Sequence, residues 1–181
     1  RSGKAWRALY QQDPRHSQGR MFPRGVWEYY DPAWLGDRSR NRGQGIVESV
    51  ICSIDANAVK DGGSYAQIDT YAVVCVPGET PHMPTKRELW KLREARGKWG
   101  YPGLRANALA EFERWGSTLS HILIENKAAG QSLIAELNAQ NPTMAEIVGI
   151  NPRGSKFDRA DAALPEILAH RVRVPQYSEG L

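Results

Sequence analysis

The 181-residue sequence has only two cysteines and four histidines, too few for a disulfide framework or a four-ligand zinc centre built from these alone. Cys52 and Cys75 lie in apolar surroundings with no plausible base beside them, so a thiol nucleophile is disfavoured and a reducing compartment is the default expectation. His16, His82, His121 and His170 are dispersed without metal-ligand spacing. No Gly-x-Ser-x-Gly elbow is present, which argues against a serine hydrolase. Gly3-Lys4 lacks both the earlier glycine and the following Ser or Thr of a phosphate-binding loop, so the chain is not expected to hydrolyse ATP by itself. No apolar run approaches the roughly 20 residues that span a bilayer, and no membrane partner is expected. A starting Met and a basic-then-apolar leader are also missing, the pattern expected of a piece of a longer, unsecreted chain.

What remains is an ordinary globular composition, 41% hydrophobic and 24% charged, in a length that suits one domain with an arm. Lys plus Arg (24) exceed Asp plus Glu (20) by four, a mild bias that is compatible with a polyanionic partner and does not require one. Residues 1–46 scatter Trp6, Tyr10, Phe22, Trp27, Tyr29, Tyr30 and Trp34 among Arg, Gly and Pro without a period, as an ordered arm would. A compact unit is expected over residues 47–181. Ile46–Ile54 reads as a strand buried on both faces, and Tyr65–Val76 as its hairpin partner. Lys86–Arg96 has helix propensity throughout, with Leu89 and Leu92 three apart. Leu104, Ala108, Phe112 and Trp115 share one helical face. His121–Ile124, Ile147–Ile150 and Val172–Val174 read as short strands. Helices are expected from Ser132 and over Asp158–Ala169, the latter interrupted near Pro165. Strands alternating with helices predict an α/β sheet.

Two acids end apolar strands: Asp55 after Ile46–Ile54, and Glu125 after His121–Ile124. Ligands of open α/β sheets bind at the carboxyl edge of the strands, and two carboxylates brought together there repel unless a cation lies between them. A hard divalent ion suits oxygen donors, and each acid taken alone equally fits the cap of a strand or of the helix that follows. Lys60 trails Asp55, Lys127 trails Glu125, and Arg153, Lys156 and Arg159 form a third basic group. Such cations suit a phosphodiester backbone, or else are scattered surface charge.

In order along the chain, these segments resemble the C-terminal nuclease domain of the large terminase subunit of tailed bacteriophages. Trp6–Pro14 (WRALYQQDP), with Gly19 and Phe22, looks like the family's linker between ATPase motor and nuclease. Ser53-Ile54-Asp55 with Lys60 resembles its first catalytic strand, and Ile122–Leu133 (ILIENKAAGQSL) the segment carrying the second acid. Lys156, Arg159 and Ala160, then Arg171–Pro175 (RVRVP), fit its late helix and following strand. Leu89–Pro102 lines up with a family strand and turn, so the resemblance implies a third antiparallel strand around Leu89–Ala95 where propensity reads helix.

The resemblance implies a ribonuclease H-like fold: a mixed sheet, three antiparallel strands leading and parallel strands following, with helices on both faces. It implies an endonuclease that cuts concatemeric double-stranded DNA by two-metal phosphodiester hydrolysis with Mg²⁺ or Mn²⁺, Asp55 bridging both ions and Glu125 binding one. Its implied partners are DNA, the motor domain of the same subunit, the small terminase subunit and the portal, in the host cytoplasm. Asn126 stands where many relatives carry a second acid. The family's third acid lies in a helix beyond the strand matched by Val172–Pro175, whereas this sequence ends at Leu181, leaving Asp158 and Asp161 as the nearest substitutes. A catalytically silent DNA-binding module is therefore an alternative. Another ribonuclease H-like nuclease, such as a Holliday-junction resolvase, is a further one, against which the linker-like Trp6–Pro14 argues.

Overall fold

The computed structural model describes residues 22, 25–35, 45–56, 65–78, 85–140 and 145–176. Seven strands are hydrogen-bonded into one sheet: β1 (Glu28–Tyr30), β2 (Ile46–Asp55), β3 (Ala66–Val76), β4 (Lys86–Gly97), β5 (Leu119–Glu125), β6 (Glu146–Ile150) and β7 (Val172–Pro175), in the spatial order β1-β7-β4-β3-β2-β5-β6. β2, β3 and β4 pair antiparallel, β5 and β6 add in parallel beside β2, and β7 and β1 add in parallel beside β4. The five strands β4-β3-β2-β5-β6 form the ribonuclease H-like arrangement. Glu28–Tyr30, within the stretch read as an arm, is thus an edge strand of the sheet, whereas Trp6–Pro14 lies outside the described residues.

Among the described residues three helices connect the strands: α1 (Tyr101–Trp115), α2 (Ala129–Gln140) and α3 (Lys156–Leu168). α1 starts with Pro102 in its first turn, where the missing N–H costs nothing, and stops at Gly116, whose φ of 50° favours glycine. Its Leu104, Ala108 and Phe112 join Leu133 and Leu137 of α2 over Val50, Cys52, Ile54, Ile68, Ile122 and Ile124 of the sheet. Each large side chain so buried stabilises the fold by roughly 1.5–3 kcal/mol. α1 and α2 therefore cover one face. The β6-to-β7 crossover carrying α3 runs across the sheet in the opposite sense, and a right-handed parallel crossover in that sense places α3 on the other face.

Two expectations change, and of the two readings of Lys86–Arg96 the strand that the resemblance implies is the one observed. β2 is buried on one face only: Val50, Cys52 and Ile54 are buried while Val47 and Ser53 are exposed, because a single helix serves the far face. Lys86–Arg96 is a strand, held by pairing along its length to β3 and at Leu89 and Trp90 to β7, and those ladders override its helix propensity. α3 continues through Pro165, and its end is closed by the Ala169 N–H on the Pro165 carbonyl.

Candidate metal centre and its basic surround

Ile54 and Ile124 are register partners in the parallel β2–β5 pair, and both are buried beneath the helices. Side chains alternate along a strand, so the next residues, Asp55 and Glu125, project together from the opposite face, that of α3. Their carboxyl groups lie near enough for each to shift the other's titration. Desolvation, and then the Glu125 charge, push the Asp55 carboxyl above its usual range. Glu125 is held below its own, chiefly by Lys127, whose Nζ lies 2.7 Å from Oε1, and further by Asp55 and the Arg159 charge. The two acids thus shift in opposite directions, and Asp55 is the one of the pair that more readily takes up a proton.

The backbone around Glu125 is built for this placement. Asn126 donates its N–H to the Ile150 carbonyl, 2.8 Å, which fastens the end of β5 to β6. The chain then turns through Ala128, whose φ of 38° lies in the left-handed region, before entering α2. Gly130 sits against the strand end so closely that a β-carbon there would lie 1.9 Å from the Glu125 carbonyl oxygen.

The basic residues divide by location. Lys127 pairs with Glu125; the charge of Lys156, at the start of α3, reaches Asp55, and that of Arg159, one turn on, reaches Glu125. Arg159 also donates to the Gly154 carbonyl, 3.1 Å. Arg153 is exposed in the preceding connection, and Lys60 lies outside the described residues.

Asp158 is engaged elsewhere. Its Oδ2 accepts the Ser155 N–H at 2.8 Å while the Ser155 hydroxyl accepts the Asp158 N–H at 3.2 Å, a reciprocal cap on α3 that holds the Asp158 carboxyl below its usual range. Among the described residues no three His, Cys, Asp or Glu side chains converge as a metal-ligand group. His121 and His170 are exposed beside Glu146 and Glu28. Cys52 is buried, and desolvation pushes its thiol up to about 12, which leaves it un-ionised and unreactive.

Residues that the sequence reading passed over share the face of the acids. Gln67 is the register partner of Asp55 on β3, and Arg96 that of Gln67 on β4, so the row Glu125-Asp55-Gln67-Arg96 crosses the sheet. Gln67 donates to Asp69 Oδ2 at 2.7 Å. The other oxygen of Asp69 is shut from solvent and lacks a well-directed donor, although Lys91 Nζ, 3.0 Å away, supplies the compensating charge. The available signal was strand alternation, and it required the β3–β4 register to be used.

A ribonuclease H-like sheet carrying paired acids at the carboxyl ends of two parallel strands, with cations around them, defines the class of fold and site. No family model and no curated protein matches the chain. Among solved structures it is similar to the magnesium-bound large terminase nuclease of thermophilic phage G20c, at 15% identity and a TM-score of 0.48, over 83% of this chain and 70% of that one. It is similar to the zinc-bound form of that nuclease at 14% identity and a TM-score of 0.48, over 84% and 78% of the two chains. The fold assignment stands on the chain's own strand order and pairing. Among the described residues no helix is long and apolar enough to cross a membrane.

Proposed function

We propose that the chain is a metal-dependent endonuclease module acting on double-stranded DNA, and that the setting is a viral DNA-packaging terminase, as the sequence resemblance implies. The observation that carries the reading is the Asp55–Glu125 pair, side by side at two strand ends and ringed by Lys127, Lys156 and Arg159. Its donor chemistry fits a hard divalent cation. Both donors are carboxylates, and the mutual repulsion that raises Asp55 is what a cation between them would relieve. Asp55 and Glu125 would hold Mg²⁺ or Mn²⁺, which when bound acidifies water and offsets charge on phosphoryl oxygens.

The chain's own residues supply the remainder. Asp55 would bind the cation as a carboxylate, and because its carboxyl is raised above the usual range, affinity for the cation would fall as the medium becomes more acidic. Lys127 exchanges its partner Glu125 for phosphate oxygens, while Lys156 and Arg159, at the start of α3, fix the register of the DNA backbone. Asp158 is proposed only as a further ligand that would have to leave its place on Ser155. Residues before β1 are proposed as the link to the motor, and the small subunit and portal as partners in the host cytoplasm.

Plasmid nicking in Mg²⁺ or Mn²⁺ tests the reading. Wild-type chain should nick, and Asp55→Asn should lower the rate at least about 100-fold by removing the ligand common to both proposed ions. DNA binding without metal-dependent nicking would instead identify a silent module, and nicking confined to branched DNA a resolvase.

A further inference from the structure

Among the described residues, the cations that the sequence assigns to DNA lie around Lys127 and the start of α3. Across the sheet, on the same face, stand three further groups. Arg96 is two strands from Asp55 through Gln67, a separation of about 10 Å at the usual strand spacing. Its guanidinium carbon lies 4.4 Å from the centroid of the Tyr65 ring, and Lys98 Nζ lies 5.4 Å from the same centroid. Tyr65 is 47% exposed, and Arg96 and Lys98 are exposed as well. The half-exposed ring holds the guanidinium in place by a cation–π contact, and the planar cation keeps donors for phosphate oxygens.

We propose that Tyr65, Arg96 and Lys98 form a second binding point for the DNA backbone. A duplex whose phosphate lies at Asp55 and Glu125 then runs across the strands, from Lys127 and Lys156 on one side to Arg96 and Lys98 on the other. The inference rests on the nuclease reading for the location of the central phosphate. Cations on both sides would hold the scissile phosphate at the acid pair against the repulsion of two carboxylates, which a one-sided grip could not do.

Binding is measured in the full-length Asp55→Asn background, so that cleavage does not intrude, by fluorescence anisotropy with a short labelled duplex over a range of salt. Arg96→Glu with Lys98→Glu should raise Kd at least about tenfold at low salt and reduce the slope of log K against log salt by about 1.8, about 0.9 for each phosphate no longer neutralised. Tyr65→Ala should weaken binding, and Tyr65→Phe, which keeps the ring, should restore it. Arg114→Glu, on α1 over the opposite face, is the control for a charge reversal away from the proposed binding point and should leave the slope near the parental value. Melting curves of each variant confirm that the fold is intact.

Affinity and salt slope in Arg96→Glu/Lys98→Glu that match Arg114→Glu would overturn the proposal, whatever Lys127→Glu/Lys156→Glu does. A loss confined to the Lys127 and Lys156 variant would leave the nuclease reading in place and refute only the second binding point. No DNA binding by the parental chain would refute both.

Discussion

At Gly130 the side chain is a single hydrogen because the Glu125 carbonyl occupies the space a β-carbon would need. Gly130→Ala must push the start of α2 away from the end of β5, and the Glu125 carboxylate moves with its backbone. We expect a loss of ~2 kcal/mol, within the range for overpacking, with nicking lowered along with the melting temperature. Gly149→Ala is the comparison: its nearest neighbour would be the tip of the Ile134 side chain at 3.2 Å, which can yield. Equal melting temperatures for the two variants would refute the tight fit. Residues differ in how plainly the sequence announces them. Asp55 and Glu125 are legible as candidates because each follows a short, β-branched apolar run that reads as a strand. Gly130 is not, since its necessity comes from a carbonyl five positions earlier that only the folded turn brings near.

β4 shows why an element can be misread. Its charged residues look evenly strewn, as on a solvated helix, yet each has an assigned side. A bulge between Arg93 and Lys91 resets the alternation, so Glu88, Trp90, Arg93 and Ala95 all face the helices while Lys91, Glu94 and Arg96 face α3. Neither period 2 nor period 3.6 survives such a reset, and pairing to two neighbours decides the matter. The same strand docks α1 through Glu111, which is fully buried and accepts from Thr70 Oγ1 and Trp115 Nε1, both at 2.8 Å, and from Arg93. Glu111→Ala strands a half-buried guanidinium and two donors. The expected cost is about 3–5 kcal/mol, read as a fall in melting temperature of roughly 6 °C or more. A change under about 2 °C would mean that α1 is held by its apolar face alone.

Across the molecule, a second buried acid ties the edge strands to the centre. Glu88 has no side-chain exposure, and Arg173 of β7 donates to it from Nε at 2.7 Å, Trp90 from Nε1 at 2.9 Å, and Lys86 Nζ lies 2.9 Å away. Arg173 also lies over the Trp90 ring, and Tyr30 of β1 packs on that ring from its own strand. Burial alone would raise the Glu88 carboxyl; the three donors outweigh it and hold the carboxyl below its ordinary 4.5. The folded state therefore binds this proton less readily than the unfolded chain. The stability gained is complete above pH 4.5 and is lost as the pH falls through the depressed value. Glu88→Gln should melt lower at pH 7, by ~2 kcal/mol or about 4–8 °C, and its gap to wild type should narrow below pH 4.5. A gap that does not change with pH would show that charge is not what Glu88 contributes. The β2–β3 hairpin could be foreseen from apolar runs and turns, but this tie could not, because Glu88 and Arg173 meet only after the chain has wound across the whole sheet. The parallel union of β2 with β5 has a similar history. The hairpins β2–β3 and β3–β4 can close early from nearby segments, whereas Asp55 and Glu125 meet only when β5 returns past them to the far side of β2. Capture of a divalent cation during refolding would thus be a clock for the closing of that loop, with its signal trailing the growth of the hairpins.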